Sequence, residues 1–360
     1  MMRIKFLDGF RGLAIIMVVL YHVFNRWTDF LPFGDKYAHF PLFQKGWLGV
    51  QLFFLISGFV ILMSLEKSKN FKEFISKRWL RLFPAMLVAT VLLYATAGLL
   101  PERPMGAPVL RDMIPGLLFV QPSWIELLFR SPQGVLEGAF WSLFVEVKFY
   151  IVFGLIYFYA GRMRAIQGIS ALFGVALAAN VASRLTDNGI VKIADMALRQ
   201  LSFDHFGWFA AGALTYLYFV GKDKKLLTYA FAVGVFSSIF TALSHWTSWY
   251  VFFVAVGILA LFIATICYDR LKTVFEYPFF MYFGFVSYPL YLIHENALVA
   301  LTVKMHAFFP QIPDLLLPVI PIAILTLVAH LIAKFIELPL GRLLKRLFDI
   351  KKNTGRPVEP

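Results

Sequence analysis

Trp47-Leu48-Gly49-Val50-Gln51-Leu52-Phe53-Phe54-Leu55-Ile56-Ser57-Gly58-Phe59-Val60-Ile61-Leu62-Met63-Ser64-Leu65 carries no ionisable group, and it is bounded by Lys45 on one side and Glu66-Lys67 on the other. A helix needs about 20 mostly apolar residues to cross a bilayer, and this block has that length. Similar blocks recur near 9–27, 82–100, 138–160, 165–183, 204–220, 226–243, 249–268, 278–300 and 315–336. The pattern predicts an all-α, polytopic transmembrane bundle of about ten spans. Composition agrees. Of 360 residues, 60% are hydrophobic and 15% charged, with 40 Phe, against about a quarter charged in ordinary soluble domains. The mean hydropathy is +0.73. No soluble domain of useful size remains between the blocks.

The formal net charge of +13 sits in short clusters between apolar blocks, where the excess of Lys and Arg in cytoplasmic loops would put it. Starting from a cytoplasmic N-terminus, the inside segments are Glu66–Arg81, Gly161–Arg164, Gly221–Lys225, Asp269–Lys272 and the tail from Glu337. All are basic, and the alternate loops mix signs. Both termini are therefore expected in the cytoplasm, with residues 1–341 forming the membrane domain and 342–360 a short basic tail. Met1 to Lys5 and the block after it lack a small-residue cleavage site, so an uncleaved first span is expected. No exposed folded face is left for nucleic acid. The single Cys267 excludes an internal disulfide framework and a cysteine-rich metal site. His245-Trp246-Thr247-Ser248-Trp249-Tyr250 reads as an outer interfacial belt. The 101–137 segment reads as an outer loop, in which Met113–Pro122 is too short to span and forms a re-entrant or interfacial piece.

Ionisable groups at membrane depth are functional candidates. Arg11 and His22 are eleven helical steps apart. At 100° per residue they share a face to within about 20°, separated by roughly 16 Å along the axis. Asp8 lies one turn before Arg11 and is placed to orient it. Glu146 lies about two turns into the fourth span, while Lys148, two positions on, faces elsewhere. The ninth span carries Tyr288-Pro289-Leu290-Tyr291-Leu292-Ile293-His294-Glu295. The predicted topology brings His22, Glu146 and His294 to similar depth in the outer half. At the opposite face, Arg78 and Arg81 are helix neighbours suited to gripping a phosphate. Each has a plainer reading: snorkelling for Arg11, interhelical bonding for His22, ion pairing for Glu146, and positive-inside charge for Arg78 and Arg81.

Taken in order, these motifs resemble the acyltransferase-3 family of integral membrane O-acyltransferases over nearly the whole chain. Leu7-Asp8-Gly9-Phe10-Arg11-Gly12-Leu13-Ala14 with His22 resembles the family's first-helix Arg-x10-His pattern. Gly49 to Phe59 resembles its second-helix signature, with Gln51 where many members have Asp. Arg78-x-x-Arg81 with Leu82 and Pro84 resembles its Arg-x-x-Arg element. Trp141-Ser142-Leu143 with Glu146, Phe149 and Tyr150 resembles the fourth-helix pattern. Tyr288 to His294 resembles the penultimate helix, and Glu337-Leu338-Pro339 the closing Glu-x-Pro.

The resemblance implies transfer of an acyl group, usually acetyl, from cytoplasmic acyl-CoA (acetyl-CoA) to a hydroxyl of a carbohydrate or glycoconjugate. It places the protein in a bacterial inner (cytoplasmic) membrane. Arg11, Arg78 and Arg81 would hold the polyanionic donor. His22 would take the acceptor hydroxyl's proton, with Glu146 orienting its imidazole and His294 nearby as a third catalytic candidate. Asp8, Ser57, Trp141, Ser142 and Tyr150 would support them. Ser57 and Ser142 show no evident neighbouring base, so direct transfer is expected over an acyl-enzyme relay, with a transient acyl-histidine as the variant. No metal or bound cofactor is expected. Some relatives append an extracytoplasmic hydrolase-like domain; here the membrane domain is expected to act alone or with a separate partner. The rival reading is a proton-coupled transporter or flippase. It predicts inverted repeats and paired broken helices, which the sequence does not display.

Overall fold

The computed structural model describes residues 4–244, 248–337, 339–340 and 342–343. Most of the predicted 342–360 tail, Leu338 of the closing motif, and His245-Trp246-Thr247 of the predicted aromatic belt lie outside the described residues. The described residues form helices and turns with no strand. Among the described residues, eight helices are long and apolar enough to cross a membrane: Lys5–Arg26, Gly46–Leu65, Phe71–Leu99, Gly138–Ala160, Arg162–Leu185, Lys224–Ser244, Trp249–Cys267 and Val319–Glu337. The other two expected spans are also helical but shorter. They are Phe206–Gly221, of 16 residues, and Pro278–Ile293. Val91, Ile151, Phe236, Phe253 and Leu327 are exposed on the spans, as apolar side chains are where lipid replaces water as the solvent.

Three boundaries differ from the sequence reading. The basic segment expected as a loop, Glu66–Arg81, is helical from Phe71, because Phe71–Thr96 is one helix of 26 residues. Lys72 and Lys77 therefore ride on a helix, the same one that carries Arg78 and Arg81 as the helix neighbours the sequence predicts. The expected 278–300 span is two helices, Pro278–Ile293 and Glu295–Phe308, broken at His294. The 101–137 segment holds two short helices, Ile114–Leu118 and Pro122–Phe129, separated by a left-handed Phe119 with φ of 55°.

The chain divides into two compact units. One comprises Met1–Tyr21, Phe40–Ile75 and Trp141–Gly284; the other comprises His22–His39, Ser76–Phe140 and Phe285–Pro360. The first is built around Phe206–Gly221, whose residues from Phe206 to Leu217 are all buried. This helix lies against Gly46–Leu65 through reciprocal glycines. A Cβ on Gly58 would run into the Phe209 carbonyl, and one on Gly212 into the Leu55 carbonyl. Small residues let helix backbones approach closely where no hydrophobic force drives association. Aromatic rings lock the same seam: Phe209 stacks on Phe149 with centroids 4.0 Å apart and on Phe54 at 4.7 Å. Trp208 donates its indole N–H to Thr241 at 3.2 Å.

Gly212→Ala is expected to lower the Tm of the detergent-solubilised protein, at an overpacking cost of about 1–3 kcal/mol. Gly174→Ala, whose new Cβ would meet nothing within 4 Å, should leave it unchanged or slightly raised. Equal melting curves for the two variants would remove the seam as a determinant of stability.

Candidate functional site

In the second unit, two helix irregularities present two histidines to each other. The first span is α-helical from Lys5 to Tyr21 and opens into a π turn over His22–Arg26. Such turns hold an extra residue per turn and recur at functional sites. Asn25 ties this turn to Ala38 O at 2.7 Å. Across from it, Pro289 lies inside Pro278–Ile293 and the helix stops at His294. Proline removes one hydrogen bond from the helix ladder, and the stop turns the His294 ring back on its own helix.

The hydrogen bonds decide which nitrogens hold protons. His294 Nδ1 lies 2.9 Å from the Tyr291 carbonyl oxygen. A carbonyl only accepts, so Nδ1 is the donor, and Nε2 of the neutral ring holds the lone pair. That Nε2 is 3.2 Å from His22 Nδ1, which therefore donates to it. In the neutral His22 ring, Nε2 is left with the lone pair, 3.7 Å from Glu295 Oε1. The two rings meet edge-on with centroids 4.6 Å apart. One backbone carbonyl thus sets both tautomers in sequence.

Glu295 is buried and held from two sides. Its Oε2 accepts the Ala139 N–H at 2.5 Å, and its Oε1 the Trp27 indole N–H at 3.2 Å. Gly138 leaves room for it, since a Cβ there would sit 3.0 Å from both carboxylate oxygens. Glu137, also fully buried, accepts from the Asn296 backbone N–H and side-chain amide through Oε2, both at 3.0 Å. Arg103 Nη2 donates to Leu136 O at 2.8 Å, and Asn296 Nδ2 donates to the same carbonyl at 3.1 Å. Burial, then the neighbouring Glu295 charge, pushes the Glu137 carboxyl well above its ordinary value of 4.5, against the pull of Asn296 and Arg103. Burial likewise lowers Arg103, opposed by Glu137 and Asp112.

The first unit holds the other carboxylate. Glu146 Oε1 accepts the Ser57 hydroxyl and, at 2.6 Å, the Tyr150 hydroxyl. Ser57 therefore does have a neighbouring acid, contrary to the sequence reading; periodicity along one helix cannot reveal a partner on another. Lys148 turns away from Glu146, as its spacing requires, and donates to Gln200 O at 2.6 Å and Ser202 Oγ at 3.0 Å. Trp141, partly exposed, lies with its ring centroid 5.3 Å from His205. Ser142 is buried beside it in the chain. Arg11 donates to Asp8 at 2.7 Å, one turn away. Arg78 and Arg81 belong to the second unit, on the helix that begins at Phe71; Arg81 is exposed and Arg78 half-buried.

Of the expected catalytic set, the structure brings His22 and His294 together, and the carboxylate beside His22 is Glu295. The sequence reading quoted Glu295 without giving it a role and passed over Glu137 and Arg103. The available signal was the acid directly after His294, at the end of an apolar block where ionisable groups are costly. His205, packed against Phe54 and Trp141 and 3.6 Å from Asp204, was also missed. Among the described residues, no group of three or more His, Cys, Asp or Glu is placed to hold a metal ion.

Comparison with known proteins agrees with the helical frame. A family model described as an acyltransferase domain, acyltransferase-3, matches residues 4–335. The O-acetyltransferase OatA of Staphylococcus aureus strain NCTC 8325 is 31% identical over 184 residues, covering 48% of this chain and 28% of that protein. OatA of S. aureus strain COL matches to the same extent. A further S. aureus COL protein, provisionally named an O-acetyltransferase, is 29% identical over 42% of this chain and 24% of its own length. The alignments thus span about a quarter of the curated relatives' length. No solved structure matches.

The raised Glu137 carboxyl has a consequence for stability. A carboxyl whose folded value exceeds its unfolded one binds protons on folding, so stability falls as pH rises from about 4.5 toward the folded value. Glu137→Gln should remove that contribution, which would appear as a flatter dependence of Tm on pH above about 4.5 and a higher Tm near neutrality. Parallel Tm profiles for the variant and its parent would show that Glu137 ionises freely in the fold.

Proposed function

This chain belongs to the acyltransferase-3 family, and we propose that it is a membrane O-acyltransferase moving an acyl group from acyl-CoA to a hydroxyl of a carbohydrate or glycoconjugate. Acetyl is the group favoured, in keeping with the names of its S. aureus relatives. One observation carries the reading: His22 is held through Nδ1 at 3.2 Å from His294 Nε2, with its own Nε2 3.7 Å from the buried Glu295 carboxylate. That is the arrangement a general base needs, a positioned imidazole with an anion ready to offset the charge it acquires.

The step follows from those atoms. The acceptor oxygen attacks the thioester carbonyl carbon while its proton passes to His22 Nε2. The carbon–sulfur bond then breaks, and the departing thiolate takes that proton to leave as CoA–SH. Between those two proton transfers His22 is an imidazolium beside Glu295, which stabilises it. His294 works through the other side of the His22 ring by keeping Nδ1 protonated. Arg78 and Arg81, one helix turn apart, supply planar donors suited to CoA phosphates; in the other unit Arg11, held by Asp8, offers the same kind of donor.

A second route is favoured by Ser57 donating to Glu146. In it, Ser57 Oγ attacks the thioester carbonyl as Glu146 takes its proton, the carbon–sulfur bond breaks and the thiolate takes that proton to leave as CoA–SH. The acceptor hydroxyl then attacks the acyl-serine, and its proton returns through Glu146 to Ser57 Oγ, with Tyr150 holding Glu146 in place. Brief exposure to radiolabelled acetyl-CoA without acceptor distinguishes the routes. A hydroxylamine-sensitive label lost in Ser57→Ala marks the serine relay, and its absence marks direct transfer.

With protein shown to be inserted at parental levels, His22→Gln should still bind acyl-CoA yet lose turnover by about 10²–10⁴-fold. Arg78→Ala and Arg81→Ala should instead raise the KM for acyl-CoA, each losing about 1.5–3 kcal/mol of charge-assisted bonding. Assays on purified protein in detergent separate acyl transfer from transport, which needs two compartments. Near-parental turnover in His22→Gln would remove the histidine from the chemistry, and an unaltered KM in the arginine variants would reduce those residues to topology signals.

A further inference from the structure

Residues 136–139 and 294–296 exchange carboxylates. Glu137 reaches across to the backbone N–H of Asn296, in the first turn of the Glu295–Phe308 helix. Glu295 reaches back to the backbone N–H of Ala139, in the turn formed by Gly138–Phe140. Each segment thus uses its acid to satisfy a backbone donor of the other. Asn296 closes the loop, taking Glu137 Oε2 with its side-chain amide and accepting the Met105 N–H at 3.0 Å. Tyr291, whose carbonyl sets the His294 tautomer, adds a further tie by donating its hydroxyl to Ala139 O at 2.8 Å. All of these residues are in the second unit. A carboxyl at a helix N-terminus also interacts favourably with the helix dipole.

The clasp constrains the carboxylate beside His22. Glu295 Oε1 lies 3.7 Å from His22 Nε2, with Oε2 held on Ala139 N and the helix start held by Glu137. We propose that Glu137 is a positioning residue for acyl transfer, acting through the Asn296 corner to keep Glu295 beside His22. A carboxamide suffices for the task, because the bond that matters is accepted by one oxygen from two N–H groups. The charge of Glu137 is not required. The inference rests on His22 being the base.

The test measures kcat and KM for acyl-CoA in Glu137→Ala, Glu137→Gln, Gly138→Ala and His22→Gln, all in full-length protein with membrane insertion verified. Glu137→Ala should lower kcat by about 10–100-fold, the scale of a misplaced catalytic group, with KM for acyl-CoA within about twofold of parental. Glu137→Gln should restore kcat to within a few-fold of parental. Gly138→Ala, which pushes a Cβ against both Glu295 oxygens, should reproduce the kcat defect without touching Glu137. If Glu137→Ala does not insert, Glu137→Gln and Gly138→Ala decide the matter. A parental kcat in Gly138→Ala, or a Glu137→Gln as impaired as His22→Gln, overturns the proposal. So does a Glu137→Ala that inserts with parental kcat, or one that raises KM as much as it lowers kcat. If His22→Gln itself turns over normally, the general-base reading fails and the positioning role fails with it. If His22→Gln is inactive and the Glu137 and Gly138 variants are parental, only the positioning role is lost.

Discussion

A buried carboxylate held between a backbone N–H and an indole N–H, with an imidazole 3.7 Å away, is the constraint on which the proposed chemistry of this protein depends. An acid removed from water is tolerated only when its oxygens find donors. Glu295 finds Ala139 and Trp27, and those donors fix where its remaining negative charge points. The same economy governs Glu137, whose carboxyl is kept above its ordinary range by burial and by Glu295. Their different partners separate their roles: Glu295 reaches toward His22, and Glu137 serves as a hydrogen-bond acceptor that holds a helix start.

The local backbone supplies this geometry by departing from regular helix in two places. The π turn at His22–Arg26 and the stop at His294 occur in a chain that otherwise prefers long helices. In a membrane, a break in the helix ladder exposes polar groups that must be satisfied from within. Here the Tyr291 carbonyl is satisfied by the His294 ring. The break and the histidine tautomer are therefore one feature. In the first unit the reverse holds: Gly58 and Gly212 keep the backbones of two regular helices close, and Phe149 and Phe54 stack on Phe209 over the seam.

Most of the frame was legible without coordinates. Long apolar blocks, read against the thickness of a bilayer, predicted helices that the structure contains, because hydropathy and span length are properties of contiguous residues. The 278–300 block was read as continuous because an apolar run with one internal proline does not announce where the ladder stops. The start of the third span was set too late for a related reason. Basic residues at its opening, such as Lys77 and Arg81, look like loop when judged by polarity, yet they are good helix formers.

By itself the sequence determined that the chain is helical and apolar enough to cross a membrane many times. It also determined which residue types are too polar for their surroundings to be there without a reason: Arg11, His22, Glu146 and His294. Pairing was decided only by the tertiary structure. Glu146 meets Ser57 and Tyr150, His22 meets His294 and Glu295, and Glu137 meets Asn296. Helical spacing places side chains on a face of their own helix, whereas a hydrogen-bond partner 272 residues away, as His22 is from His294, is set by how helices pack. The identity of the proton-bearing nitrogen depends on that packing as well, because a tautomer is chosen by the atom opposite it.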